Sequence, residues 1–203
     1  MSYNRFMQEA ESPDIIEFEG NSYAVAGING PEPFTPRQYG LEPLGFAWGL
    51  QRGFQAFYLL QDNSLVLDSL CICSNNLQKP SSLLGIDPVK EEVVWTYDYR
   101  YNNVLIELPF TGFLLIARGF IENIQEEVGF HPIWKYTIAL ELHFRRGRLL
   151  ERRDCSTKLA KLRAQAVKQP IPSRPNRNSS DRERESYESW LDKAFDRSYT
   201  LEH

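Results

Sequence analysis
A mainly β, or α+β, fold is what this sequence predicts: an antiparallel meander forming a barrel or a sandwich. Three observations carry that expectation. Apolar runs recur in pairs across short polar turns, apolar and polar residues alternate within a run, and helical spacing is confined to three short stretches.

Taken in order, Ile15–Phe18 turns through Glu19-Gly20-Asn21 into Tyr23–Ala26, and Ala56–Leu60 turns through Gln61-Asp62-Asn63 into Leu65–Ile72. A third pair, Thr137–Phe144 and Leu149–Glu151, is joined by Arg145-Arg146-Gly147. Each has the form of a hairpin. Between the second and third pairs, Val93–Tyr99, Val104–Leu108 and Phe113–Ala117 read as further strands, separated by Tyr101-Asn102-Asn103 and by 109–112. In the last hairpin Ile138, Leu140, Leu142 and Phe144 alternate with Ala139, Glu141 and His143, which predicts one buried face and one wet face. The segment 29–43 holds four prolines and two glycines, so it reads as a long loop of the kind that often serves function.

Helical spacing appears first at Phe120, Ile121, Ile124 and Val128, a short amphipathic helix ended by Gly129. Ser156 stands where a cap would start a second helix, in which Leu159, Leu162 and Ala166 share a face among basic residues. Pro170 and Pro172 forbid its continuation. Ser180-Asp181-Arg182-Glu183 has the spacing of a capping box and opens a third helix. The expected organisation is therefore a β-rich domain over 1–153, a basic amphipathic helix over 154–169 and a proline-rich polar linker over 170–180. An aromatic amphipathic helix follows over 181–198, and 199–203 is the C-terminal end. Leu201-Glu202-His203 resembles the start of a vector-encoded histidine tag, so His203 is set aside as a ligand.

Composition narrows the function classes. With 42% hydrophobic residues in a chain of 203, there is enough apolar surface for one sizeable core. The apolar run 110–117 is far short of the roughly 20 residues that span a bilayer, and residues 1–14 do not read as a secretory leader. Three cysteines give an odd number, and Cys71 and Cys73 are too close along one strand to bridge comfortably, which points to a reducing, cytoplasmic setting. Both thiols fall on one face of that strand and read as packing, not as a zinc knuckle.

No catalytic signature emerges, and no cofactor is indicated. GxGxxG, GxxxxGK[ST] and GxSxG are all absent from the sequence, which leans away from an enzyme. His143 beside Glu141 could orient an imidazole, but the alternation reads it as the polar face of a hairpin; His131 stands in a loop near Trp134 without a marked nucleophile. No metal ligand set is expected. Arg118, closing an apolar strand, could hold a ligand carboxylate or phosphate, with Trp95, Tyr97 and Trp134 as an aromatic lining; a structural ion pair with Glu107, Glu122 or Glu141 is the competing expectation.

Net charge is −4, yet 1–144 carries 8 basic and 18 acidic side chains for a balance of −10, whereas 145–177 carries 11 and 2 for +9. That basic segment has no aromatic residue for base stacking, so nucleic-acid binding is expected to be weak at most; as a membrane patch it lacks an adjoining aromatic anchor, and a solvated face or counter-charge for the acidic body is the competing reading. The most specific feature is the last helix. Tyr187, Trp190, Leu191, Ala194 and Phe195 fall at i, i+3, i+4, i+7 and i+8, opposite Glu185, Glu188, Ser189, Asp192 and Lys193. Such a stripe must be buried against something: the chain's own body, reached back across the linker, a second copy, or another protein. The leading expectation is a non-enzymatic interaction or scaffold protein that docks Tyr187, Trp190, Leu191 and Phe195 on a protein partner or a second copy of the chain. A small-molecule-binding β-barrel anchored by Arg118 is the alternative.

Overall fold
Three two-residue turns shape the sheet. Glu19 and Gly20, Asp62 and Asn63, and Arg146 and Gly147 all have positive φ, the backbone that a type I′ turn requires and that matches the right-handed twist of the strands it joins. They connect β1 (Ile15–Phe18) to β2 (Asn21–Asn29), β3 (Phe54–Gln61) to β4 (Ser64–Ile72), and β9 (Tyr136–Arg145) to β10 (Arg148–Asp154). Between β4 and β9 lie β5 (Val89–Lys90), β6 (Tyr99–Tyr101), β7 (Ile106–Glu107) and β8 (Gly112–Phe120). Helices α1 (Ser156–Ala166) and α2 (Asp181–Phe195) follow. This computed structural model describes residues 11–45, 51–74, 79–91, 97–121, 130, 133–166, 179–195 and 199.

The strands form one sheet in the order β10-β9-β8-β2-β1-β3-β4-β6-β5, with β7 paired to β4. The mainly β expectation holds, but the sheet is mixed and not a pure meander, because β1 runs parallel to β3 through Ile15↔Phe57, Ile16↔Tyr58 and Glu17↔Leu59. The sheet also curls until β10 meets β4 at Arg148↔Ser64. There the Leu65 N–H donates to Gly147 O and the Leu149 N–H to Asn63 O, each at 2.8 Å, so two of the turns interlock. Bulges between Val25 and Gly27, Phe57 and Tyr58, and Leu149 and Glu151 supply the bending.

One continuous core fills the concave side. Tyr58, Tyr101, Phe144, Leu65, Leu67 and Leu70 are essentially sealed from solvent within it. The proline-rich loop 29–43 contributes to this core and does not hang free: Phe34 and Leu41 are buried in it, and Tyr39 stacks on Phe34 at 5.3 Å between ring centroids. Its prolines are compatible with a 3-10 turn at Pro36–Tyr39.

The wet face expected of β9 is covered instead. Ile138, Leu140, Leu142 and Phe144 do face the main core, but on the other side Tyr136, Ala139 and Glu141 are buried beneath a second cluster built around α1. Leu159 of α1 packs there, and Arg163 donates to Trp134 O at 2.8 Å and to Tyr136 O. Ser156 does not act as the cap: Cys155 takes that place, accepting from the Leu159 N–H at 3.1 Å, while the Ser156 hydroxyl accepts from the Ala139 N–H of β9. The side chains of Leu162 and Ala166 lie outside the described residues.

Phe120, expected to begin a helix, is the last residue of β8, paired with Tyr136; the remainder of that expected helix, residues 122–129, lies outside the described residues. So do most of the strand expected at Val93–Tyr99, and the linker as far as residue 178. Tyr101, read as a turn residue, is in β6 and sits at zero exposure. Among the described residues no helix is long and apolar enough to cross a membrane.

Candidate functional site
The outer face of β2, β8 and β9 is floored by small residues. Ala24, Ala26 and Gly27 of β2 lie beside Ala117 of β8 and Ala139 of β9, with Leu115, Cys155 and Leu159 at their side. Small side chains leave a shallow trough where larger ones would have made a convex surface. Tyr199, beyond α2, lies in that trough. Its ring passes so close to Gly27 that a Cβ there would stand 2.7 Å from Cδ1, and its hydroxyl donates to Glu141 Oε1 at 2.9 Å. Glu141 is only 4% exposed, and Arg153 Nη1 approaches its other oxygen at 3.8 Å. Burial, and then the Glu141 carboxylate, push the Tyr199 phenol well above its ordinary pKa, so it remains a neutral donor.

Helix α2 begins as its sequence predicts. The Ser180 N–H donates to Glu183 Oε2 at 2.7 Å and the Glu183 N–H to Ser180 Oγ at 3.3 Å, a reciprocal capping box. Glu185, Glu188 and Ser189 are exposed. The side chains of Tyr187, Trp190, Leu191, Ala194 and Phe195 lie outside the described residues.

Of the expected ligand-binding residues, the three described ones, Arg118, Tyr97 and Trp134, stand in different places. Arg118 stands at the end of the row Leu114, Ile116, Arg118 on the inner face; it donates to Asn21 Oδ1 at 3.0 Å and lies 5.5 Å from the centre of the Tyr23 ring. Among the described residues its partners are thus an amide and a ring, and Glu141 faces Tyr199 on the opposite side of the sheet; Glu122 lies outside the described residues. Among the described residues the buried Arg118 Nε meets no hydrogen-bond partner. Tyr97 belongs to a separate cluster with Cys71, Cys73 and Phe57, and Trp134 to the cluster around α1. Trp95 and His131 lie outside the described residues. His143 stacks on Phe113 with centroids 4.3 Å apart.

All three cysteines are free and buried. Desolvation pushes the Cys71 thiol up to about 11 and the Cys73 thiol up to about 12. Among the described residues no group of three or more His, Cys, Asp or Glu side chains is placed to hold a metal ion. Some described residues of the basic segment are engaged with the body: Arg148 with Ser64, Arg152 with Glu19, Arg153 with Glu141, and Arg163 with two backbone carbonyls, while Arg153 also pairs with Glu151 within the segment.

A second polar cluster went unread in the sequence. The buried Glu11 carboxylate accepts from the Gln51 N–H at 2.7 Å and the Arg52 N–H at 3.1 Å, and the fully buried Asp14 accepts from Arg52 Nη1 at 3.1 Å and the Ala56 N–H at 2.9 Å. The Arg52 guanidinium in turn lies 4.1 Å from the centre of the Phe54 ring. Burial raises the Glu11 pKa against those donors. With these donors drawn from residues 51–56, the cluster clasps 11–14 to the start of β3. Nothing in the sequence marked it, because 38 or more residues separate each pair.

Compared with known proteins, the chain matches no family model, no curated protein and no solved structure at a significant level.

Proposed function
We propose that this is a non-enzymatic interaction protein, in which a curled β body carries helix α2 as its docking element. The observation that carries the reading is the reciprocal capping box of Ser180 and Glu183, which fixes where α2 starts and hence which positions share a face. From that start, positions 187, 190, 191, 194 and 195 fall on one side, and the exposed Glu185 and Ser189 fall on the other. An isolated helix of 15 residues is marginal in water, so its stability must come from burial of that stripe. Three buried, unpaired thiols fit a reducing, cytoplasmic setting.

The test replaces Trp190 and Phe195 by alanine and compares mass by sedimentation, thermal stability, and capture of partners by tagged protein. Loss of self-association, or of a reproducibly bound partner, with unchanged melting is the expected outcome. A monomer that merely melts earlier, or a variant that behaves as the parent does, overturns the proposal.

One observation favours a second reading. The buried Nε of Arg118 meets no hydrogen-bond partner among the described residues, and at the end of the inner face beside Tyr23 it suits an aromatic or aliphatic anion. Anilinonaphthalene sulfonate would then brighten with the parent protein and not with Arg118→Gln; equal response by both removes this reading.

A further inference from the structure
The trough on the outer face has the features of a built receptor. Its floor at Gly27 is backbone: a Cβ there would also stand 3.2 Å from Leu115 Cβ, so any side chain at 27 would fill the space the tyrosine ring takes. Glu141 supplies a chemical reason for tyrosine in particular. A carboxylate at 4% exposure is costly unless a donor reaches it, and Arg153 at 3.8 Å is beyond hydrogen-bond distance. The Tyr199 hydroxyl at 2.9 Å provides that donor. Phenylalanine would fill the trough but leave the carboxylate underserved, and an anionic ring substituent would meet like charge.

We propose that Gly27, Leu115 and Glu141 form a tyrosine socket whose occupant is this chain's own Tyr199, fastening the α2 arm to the body as a closed loop. Chain length sets the geometry of the closure. Only three residues separate Phe195 from Tyr199, so the end of α2 lies within about 14 Å of the socket. The other end of the arm leaves from α1, which packs on the same outer face through Leu159 and Arg163. Both ends of the arm are therefore held on one face of the sheet. An occupied socket holds the C-terminal end of α2 near the body. The socket stands whether or not α2 meets an outside partner.

Two measurements test it on the full chain. A fluorotyrosine at position 199 reports by NMR whether the ring is seated: the expected signal is displaced from that of free tyrosine, is unchanged by dilution, and moves to the free position in Gly27→Val. Because Gly27→Val could disturb the strand, the second measurement uses Tyr199→Ala and a peptide of residues 196–200 added in solution. The peptide should bind Tyr199→Ala at least about tenfold more tightly than the parent, whose socket is filled at high effective concentration by its own arm. A free signal in the parent, or a peptide that binds both proteins equally or neither, overturns the socket. A signal that shifts on dilution assigns the occupant to a second copy and overturns closure within the chain. The Trp190→Ala/Phe195→Ala variant should keep the seated signal, which separates failure of the socket from failure of the α2 docking proposal.

Discussion
Cys71 and Cys73 illustrate what a single residue's neighbours decide. Cys71 in β4 and Cys73 just past its end join one cluster, where they meet Tyr97 and Phe57 in place of solvent. With their pKa values pushed up to about 11 and about 12 by burial, almost no thiolate forms at neutral pH. Thiol reagents at pH 7.5 should therefore leave both unlabelled until denaturant is added, and metal analysis should find no stoichiometric zinc; rapid labelling of both in the native protein would contradict this. Glu183 shows the opposite shift. The Ser180 backbone N–H, and then its hydroxyl, hold the carboxyl below the ordinary glutamate range. A lowered acid pKa contributes stability that is complete above the ordinary value and is lost as pH falls through the group's own, lower value. Amides in the first turn of α2 should accordingly lose hydrogen-exchange protection at acid pH. Glu183→Gln should remove that pH dependence; a profile identical to the parent would show the box to be idle.

At the level of elements, the three hairpins were readable because a type I′ turn leaves a local mark: short, polar, and tolerant of positive φ. Gly147 is the position where that tolerance is needed most. Its φ is +79°, and a Cβ there would run into Leu108 O, in the same turn whose carbonyl accepts from Leu65 to join β10 to β4. Gly147→Ala should destabilise the fold by more than about 1 kcal/mol, measured by denaturant unfolding, whereas Gly20→Ala, with open space around its Cβ position, should cost less. Equal costs would mean that the interlock contributes nothing. The capping box of α2 was equally legible, as a pattern within four residues. The start of α1 was not, since Ser156 is drawn away to Ala139 of β9, a partner 17 residues distant. Phe120 was misassigned for a related reason: spacings of three and four suggested a helix, but pairing with Tyr136 extends β8 through it.

At the scale of the whole molecule, two described ion pairs link the basic segment to the acidic body, Arg152 with Glu19 and Arg153 with Glu141. Binding to mixed DNA or RNA should be weak and should fall steeply between 50 and 200 mM salt, roughly as the number of phosphates neutralised; tight, sequence-selective binding that survives high salt would refute this. The sequence by itself determined the mainly β class, the three hairpin turns, the inner face of β9 and the start of α2, because each depends on neighbours a few residues apart. Only the tertiary structure decided the parallel pairing of β1 with β3, the covering of the outer face by α1, the clasp of Glu11 and Asp14 on residues 51–56, and the seating of Tyr199 against Gly27 and Glu141. These join residues far apart in the chain, and no local periodicity or spacing records a contact whose geometry exists only once the sheet has curled.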